Sequence, residues 1–470
     1  MSENRPNIVF AFADEWRGQA AGFAGDTNCR TPTLDALAAQ SVNFPNAVSG
    51  CPVCSPYRAG LMTGQYPLTH GVFINDVELR PDVHSIARAF AAGGYDTAYI
   101  GKWHLYGSPD GAYGRRRALV PRRWQLGFDY WKGFECCHDY NESPYWFNDD
   151  PTPRMWDGYD AFAQSRDAAE YIAARARAER PTLLMLSWGP PHFPLHTAPE
   201  AYRKPYEGRA LALRPNVPAE LADKAAEELR GYYAHIAALD DCLRIVLEAV
   251  DAAGIADDTI VVFTSDHGDM RQCQGLDTKL FPFEESIRVP LLLRWPRLGG
   301  ARELAVPIDA PDIMPTLLGL AGLPVPASVE GIDFSPLLRG EAQPSGDEAA
   351  LLVLPAEFTE IRSNGMRAYR GLRTARHTYV RDTRGPWLLF DNRSDPYQMR
   401  NLIGRPECRH LQADLERRLS ARLAAMGDEF LDGRAYLQRA GLTHYREVNC
   451  PVRRTWRYPW DSLPRAEANE

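Results

Sequence analysis

Thr259-Ile-Val-Val-Phe-Thr264, followed at once by Ser265-Asp266-His267-Gly268-Asp269, is the stretch whose reading decides the fold. Residues 259–264 are all β-branched or aromatic, with four apolar side chains in a row at the centre. Such a run, without polar alternation, reads as a strand buried on both faces of a sheet. The same layout recurs elsewhere in the chain. Residues 7–13 run into Asp14-Glu15, residues 96–100 into Gly101-Lys102-Trp103-His104, and residues 182–187 into Gly189-Pro-Pro-His192-Phe-Pro194. Between them lie helical patterns at 33–40, 85–92, 167–179 and 219–253, the last closed by Gly254. Strands alternating with helices predict an α/β fold, a large mostly parallel sheet flanked by helices. From about residue 364 the texture changes: 371–381 and 386–391 read as short antiparallel strands and 410–426 as a final helix. The expected organisation is a main domain over 1–345, a smaller C-terminal antiparallel-sheet subdomain over 346–428, and a tail over 429–470.

Composition narrows the function classes. The chain has 470 residues, 45% of them apolar and 24% charged, an ordinary globular balance. Lys and Arg number 53 against 61 Asp and Glu, a formal charge of −8. A nucleic-acid or anionic-membrane binder would carry a basic footprint, so neither partner is expected. No stretch approaches the roughly 18 apolar residues of a membrane span. The opening Met1-Ser-Glu-Asn-Arg-Pro6 lacks a charged region followed by a long apolar one. Nine cysteines are an odd, sparse set that fits a reducing compartment, so a cytoplasmic location is expected.

Ligands of open parallel sheets bind beyond the carboxyl ends of the strands. Four such ends here deliver Asp14, Glu15, Lys102, His104, His192, Asp266 and His267, and together they point to a polar site. Cys51-Pro-Val-Cys54 is a C-x-x-C, open to three readings: a redox pair, half a zinc site, or two buried cysteines in a turn. Zinc would need a second spaced pair, and Cys136-Cys137 are adjacent. Pro56 suits the first turn of a helix, and Arg58 then falls one turn after Cys54 on the same face. A helix N-terminus at that point favours an anion. The basic run Gly114-Arg-Arg-Arg117 with Arg122-Arg123 reads as a solvated face or as a recruiter of anionic substrate. The aromatic run around Tyr130, Trp131, Phe134, His138, Tyr140 and 145–147 reads as core of an insertion placed to shape a site.

Cys54-Ser-Pro-Tyr-Arg58 matches the C-x-P-x-R signature of the sulfatases, and residues 59–64 continue it. The match extends through Asp14, Thr31-Pro-Thr-Leu-Asp35, Gly64-Gln-Tyr-Pro-Leu-Thr-His70-Gly71, Gly101-Lys-Trp-His104, His192 and Ser265-Asp-His-Gly268. It continues in Glu284-Glu-Ser-Ile-Arg-Val-Pro290 and Phe390-Asp-Asn-Arg-Ser-Asp-Pro396. The chain thus resembles a formylglycine-dependent sulfatase of the alkaline-phosphatase-like superfamily, with the catalytic domain over 1–345. The resemblance implies that Cys54 is oxidised by a formylglycine-generating maturation enzyme to the aldehyde whose hydrate is the nucleophile. It implies one divalent metal on Asp14, Cys54, Asp266 and His267, with Ca²⁺ expected and Mn²⁺ or Mg²⁺ also compatible. It implies that Arg58 and Lys102 orient the diol and that His104 takes a proton in its breakdown. His192 and Lys279 would bind sulfate and the leaving oxygen, with Asn75 and His70 as further pocket residues. Three positions depart from the family pattern: Glu15 and His267, where Asp and Asn are frequent, and Gln274, where a His is common.

The implied activity is hydrolysis of sulfate monoesters of a small molecule or saccharide. The alternatives are a phosphonate monoester or phosphodiester hydrolase of the same superfamily, or a non-catalytic binding protein on this scaffold. The aromatic tail is expected to pack on a partner copy, as a homo-oligomer, or back across its own chain.

Overall fold

Residues 8–13 are six apolar side chains in a row, and such a run needs cover on both faces of its sheet. A computed structural model, which describes residues 5–460, provides that cover. The first four residues, and residues 461–470 of the expected tail, lie outside the described residues. The large sheet is built from β1 (Asn7–Asp14), β2 (Val42–Asn43), β3 (Asp96–Lys102), β4 (Tyr130–Phe134), β5 (Pro144–Phe147), β6 (Arg154–Met155), β7 (Thr182–Pro191), β8 (Thr259–Ser265), β9 (Leu291–Arg294) and β10 (Arg302–Glu303). Their order across the sheet is β10-β2-β9-β8-β1-β7-β3-β4-β5-β6. The run β8-β1-β7-β3-β4 is parallel throughout, with Ile8 beside both Leu183 and Ile260. Every residue of β3, β7 and β8 is buried. All four strands expected from their apolar runs are therefore adjacent, and their carboxyl ends lie along one edge.

Antiparallel strands flank this centre: β9 pairs with β8 and β2, and β5 pairs with β4 and β6. Helices Asp160–Arg175 and Ala222–Ala252 pack on each other and on β7. Helices Cys54–Thr63, Ile86–Ala92 and Ala310–Leu320 form a second mutually packed group, touching β3 through Ile86–Ala92. Two boundaries follow their local chemistry. Ser85 caps Ile86–Ala92 by accepting from the Arg88 N–H at 3.2 Å, and Gly254 leaves the long helix at φ 68°.

The C-terminal part is a four-stranded antiparallel sheet in the order β11-β12-β13-β14: β11 (Ala349–Leu354), β12 (Tyr369–Thr374), β13 (His377–Asp382) and β14 (Gly385–Asp391). Residues 371–381, expected as one strand, are parts of two. The Thr374 hydroxyl accepts the N–H groups of Arg376 and His377 at 3.3 and 2.8 Å, which turns the chain. Helix Arg409–Ala425 lies against β12 and β13 through Leu415, Leu419 and Leu423, one turn apart and all buried. The small sheet is tied to the main part through segments outside the large sheet: Val353 N–H donates to the loop residue Gly50 at 2.8 Å, and buried Arg373 pairs with Glu284 of helix Glu284–Ile287 at 2.8 Å. One continuous apolar core runs through both parts.

The tail turns back across its own chain. After helix Gly433–Arg439, Arg446 N–H donates to Gly111 at 2.9 Å and Trp456 N–H donates to Asn364 at 2.8 Å. Tyr458 is buried with its ring parallel to Phe283.

Candidate active site

Four apolar strands of the sheet, β1, β3, β7 and β8, end by delivering polar groups to the same edge. Asp14 is the last residue of β1, Lys102 the last of β3, His192 follows β7, and Asp266-His267 follow β8. Cys54 is the first residue of helix Cys54–Thr63, so the helix N-terminus faces the same spot. All of these side chains are buried.

Arg58 organises the floor. Its guanidinium reaches Oδ2 of Asp14 at 3.0 Å and Oδ2 of Asp266 at 3.0 Å, and also donates to the Lys102 carbonyl and the Ser187 hydroxyl at 2.9 and 2.7 Å. Lys102 Nζ binds Asp14 Oδ2 at 2.5 Å. With both Oδ2 atoms engaged, the Oδ1 atoms face His267 Nε2, at 3.7 Å from Asp14 and 3.5 Å from Asp266. His267 Nδ1 donates to the Gly268 carbonyl at 2.9 Å, which turns Nε2 to the carboxylates, where a bound cation would take the place of its proton. Cys54 Sγ completes the ring, 3.6 Å from Asp14 Oδ1, 3.2 Å from His267 Nε2 and 3.2 Å from Lys279 Nζ. Ligand atoms of Asp14, Cys54, Asp266 and His267 all lie within 4.8 Å of one another. Two carboxylate oxygens, an imidazole lone pair and the residue-54 side chain are a donor set that fits one hard or borderline divalent cation.

The electrostatics match. Burial and the adjacent Asp14 charge push Asp266 up to about 6, and His267 is drawn up to about 9 by Asp266 and Cys54 despite its burial. Two carboxylates held this close favour a cation between them. Burial and Asp14 would raise the Cys54 thiol, but Lys279, Lys102 and His267 together hold it well below its ordinary value. Cys51, three residues away, is pushed up by burial and the Asp309 charge. All nine cysteines are free of disulfides.

The remaining expected residues divide. His104 Nε2 lies 3.7 Å from Asp76, whose carboxylate also holds Arg116 at 2.9 Å. His104 and Asn75 both line the cavity above Cys54, and Asn75 Oδ1 accepts from Ser55 N–H at 3.1 Å. His192 Nδ1 donates to the Phe193 carbonyl, and its Nε2 faces Glu15 Oε2 at 3.3 Å. Burial and Lys279 keep this imidazole well below its usual range, whereas burial raises Glu15 against the opposing pull of Lys279. Glu15 adopts φ 70°, and its carboxylate turns from Asp266 toward His192 and Lys279. His70 is not brought to the cavity. It is buried at the end of helix Pro67–His70, its Nδ1 accepting from Val72 N–H at 3.1 Å. Gln274 is a structural peg, donating to the carbonyls of Tyr397 and Gln398 at 3.0 and 3.2 Å. The cavity also has Arg116, His138, Glu360 and Glu447 in its walls. Asp76 and Glu447 had no distinguishing pattern in the sequence; Arg116 belongs to the basic run.

Comparison with known proteins agrees with this arrangement. The sequence model of the sulfatase family matches residues 6–323, and that of the N-sulphoglucosamine sulphohydrolase C-terminal region matches residues 274–425. The chain is 44% identical over 439 residues to an ulvan-active sulfatase of Formosa agariphila, covering 93% of this chain and 84% of that protein. It is 32% identical over 453 residues to an endo-4-O-sulfatase of Bacteroides thetaiotaomicron, covering 84% of this chain and 88% of that protein. A crystal structure described as a sulfatase from Bacteroides fragilis superposes with a TM-score of 0.82 at 30% identity, covering 92% of this chain and 98% of the other. By motif, fold and similarity alike, the chain belongs to the sulfatase family of the alkaline-phosphatase-like superfamily and is a sulfuric-ester hydrolase.

Proposed function

We propose that this protein removes sulfate from a sulfated saccharide, using a formylglycine made from Cys54 and one divalent metal. The observation that carries the reading is the position of Cys54 Sγ, within 3.2–3.6 Å of Asp14, His267 and Lys279 at a buried helix N-terminus. Asp14, Asp266, His267 and residue 54 would hold the cation, Ca²⁺ as the first candidate and Mn²⁺ or Mg²⁺ as the others. When bound, the aldehyde hydrate and the metal supply an oxygen nucleophile and polarise a sulfuryl oxygen. The chain's own residues do the rest. Arg58 fixes both carboxylates through their Oδ2 atoms, so that Oδ1 stays aimed inward. Lys279, kept charged by Cys54, Glu15 and Asp14 despite burial, binds the anionic ester beside the nucleophile. His192, with its Nε2 3.3 Å from Glu15 Oε2, is placed to serve the leaving oxygen. His104, paired with Asp76, exchanges a proton with the residue-54 hydroxyls. Saccharide substrates are favoured by the relatives: the 44% identical protein is an ulvan-active sulfatase. A formylglycine-generating enzyme is the required partner in maturation, and the nine unpaired cysteines support a cytoplasmic location.

The test is expression with a formylglycine-generating enzyme, followed by peptide mass spectrometry and a panel of esters. The aldehyde is expected at residue 54 with Cys51 a thiol, and Cys54→Ala is expected to lose at least a thousandfold in kcat/KM. Chelation is expected to remove activity and Ca²⁺ to restore it. Fully active protein retaining both thiols, or a strong preference for phosphonate monoesters over sulfate esters, overturns the reading.

A further inference from the structure

The cavity over Cys54 has a volume of about 140 Å³. That is well below the roughly 300–1,000 Å³ of a cavity that takes a whole small ligand. The space over Cys54 accommodates a sulfate ester group and part of the ring that bears it, so the body of a saccharide has to lie outside. Two larger hollows share walls with this cavity. One, of about 410 Å³, shares Tyr113, Arg116 and His138 and is built by the insertion between β3 and β4 and the start of the next loop. The other, of about 730 Å³, shares Phe193 and Thr278 and runs along the segment after β7 and the long helix Ala222–Ala252. Cys54 therefore lies under a small well that has a larger hollow beside it on each of two walls.

Phe193 marks the junction. Its side chain is 42% exposed, in a molecule where almost every other large aromatic is covered. His192 and His138 pack beside it, with ring centroids 4.1 and 5.8 Å away. An exposed aromatic ring between the well and the larger hollow is a platform for the apolar face of a sugar ring. The hollows differ in charge. The larger one carries Arg203, Arg230 and Arg271 against Glu207, Glu227, Glu228 and Asp277, and these groups are largely paired: Arg230 with Glu227 at 2.8 Å, Glu228 with Gln272 at 2.9 Å. A balanced lining of donors and acceptors suits hydroxyl groups and offers no track for a run of anions. The smaller hollow carries Arg116 and Arg117 against Asp139. Arg116 is committed to Asp76, while Arg117 is largely exposed and meets Asp139 at the surface.

We propose that the protein desulfates internal units of a saccharide chain, with the hollow behind Phe193 taking an uncharged neighbouring sugar and the hollow at Arg117 taking an anionic one. The proposal rests on the sulfatase reading of the Cys54 site and adds the length and polarity of the substrate. Both hollows would be filled at once only by a chain that continues past the sulfated unit.

The test uses the converted, metal-loaded enzyme. The probes are hexasaccharides prepared from ulvan, chondroitin 4-sulfate and ι-carrageenan, the matching sulfated monosaccharides, and 4-nitrophenyl sulfate. At least one hexasaccharide is expected to exceed its monosaccharide about tenfold or more in kcat/KM, with sulfate lost from internal units by tandem mass spectrometry. Phe193→Ala, Arg117→Ala and His196→Ala, the last in the wall of the larger hollow, are each expected to lower the ratio of hexasaccharide to 4-nitrophenyl sulfate kcat/KM about fivefold or more, mainly through KM. A merely structural effect lowers both rates and leaves that ratio in place, which overturns the proposal. So do monosaccharides turned over as well as hexasaccharides, sulfate lost only from chain ends, or hexasaccharides left intact while 4-nitrophenyl sulfate is consumed. If every sulfate ester stays intact with the aldehyde present at residue 54, the sulfatase mechanism itself has failed.

Discussion

His70 stands in a motif shared with catalytic candidates, yet its side chain serves the backbone. Nδ1 accepts from Val72 N–H, and burial pushes the imidazole down to about 3. Its unfolded value is near 6.5, so between about pH 6.5 and 3 the unfolded chain binds the extra proton and stability falls as pH falls. His70→Asn keeps an acceptor for Val72 and removes the titration. Urea midpoints compared at pH 7 and pH 4 are expected to show a smaller loss in the variant, by roughly 3 kcal/mol. Identical losses in both proteins would remove His70 as a source of acid lability. The contrast with Asp14, Lys102, Asp266 and His267 shows what the sequence displayed at this scale. Those four follow apolar strands whose directions fix where the next polar side chain goes. His70 and Gln274 sit in loops, where the partner is a distant carbonyl or a local N–H that no spacing encodes. Glu15 is intermediate: its place after β1 was evident, but its φ of 70° decides which way the carboxylate points.

Gly101 shows how an element constrains the site it ends in. It lies inside β3 at φ +107°, and a Cβ there would stand 2.0 Å from the Ser187 carbonyl oxygen of β7. Gly101→Ala therefore has to push β3 from β7 just where Lys102 meets Asp14. It is expected to cost on the order of 3 kcal/mol or more. Gly25→Ala, at φ +89° with nothing within 4 Å, supplies the control and is expected to cost about 1 kcal/mol. Equal denaturation midpoints for the two variants would rule out the close approach. The central parallel strands were legible because unbroken apolar runs have few other uses. Strands β2, β6 and β10, each of two residues, carry no periodicity, and they form only because a neighbouring edge is already in place.

At the scale of the whole molecule, the tail connects distant parts. Trp456 and Tyr458 pack on Phe283, while Glu447 enters the cavity wall with Arg116 at 3.7 Å and Tyr113 at 3.4 Å. Burial and the Asp76 charge push Glu447 up to about 7. At ~25 cal/mol per Å² and ~150–250 Å² for each aromatic, the two rings contribute an upper bound of roughly 10 kcal/mol. Deleting residues 429–470 is expected to lower the unfolding midpoint markedly and to loosen Arg116. Glu447→Gln is expected to keep the midpoint within about 1 kcal/mol while shifting KM for an anionic ester. A truncated protein with unchanged midpoint and KM would show the tail to be an ornament. The sequence announced that the tail's aromatic side chains needed cover, without saying whose surface supplied it, because exposure demands a partner and names none.

The burial of Cys54 has a consequence in time. Its side chain is 1% exposed, and the group that closes over it, Lys279, lies 225 residues further along the chain. At about 5–20 residues per second, synthesis leaves a window of roughly 10–45 s in which the Cys54 segment has emerged and its covering loop does not yet exist. On the proposed function, the enzyme that oxidises Cys54 has to act in that interval, or on chain that is unfolded again. Folded thiol protein mixed with the maturation enzyme is expected to stay a thiol by mass spectrometry, whereas a released nascent fragment ending before residue 266 is expected to convert. Conversion of the folded protein at the same rate would mean that the lid over Cys54 opens freely. Otherwise the proposed aldehyde is set by a race between ribosome and oxidase, and the mature fold preserves its outcome.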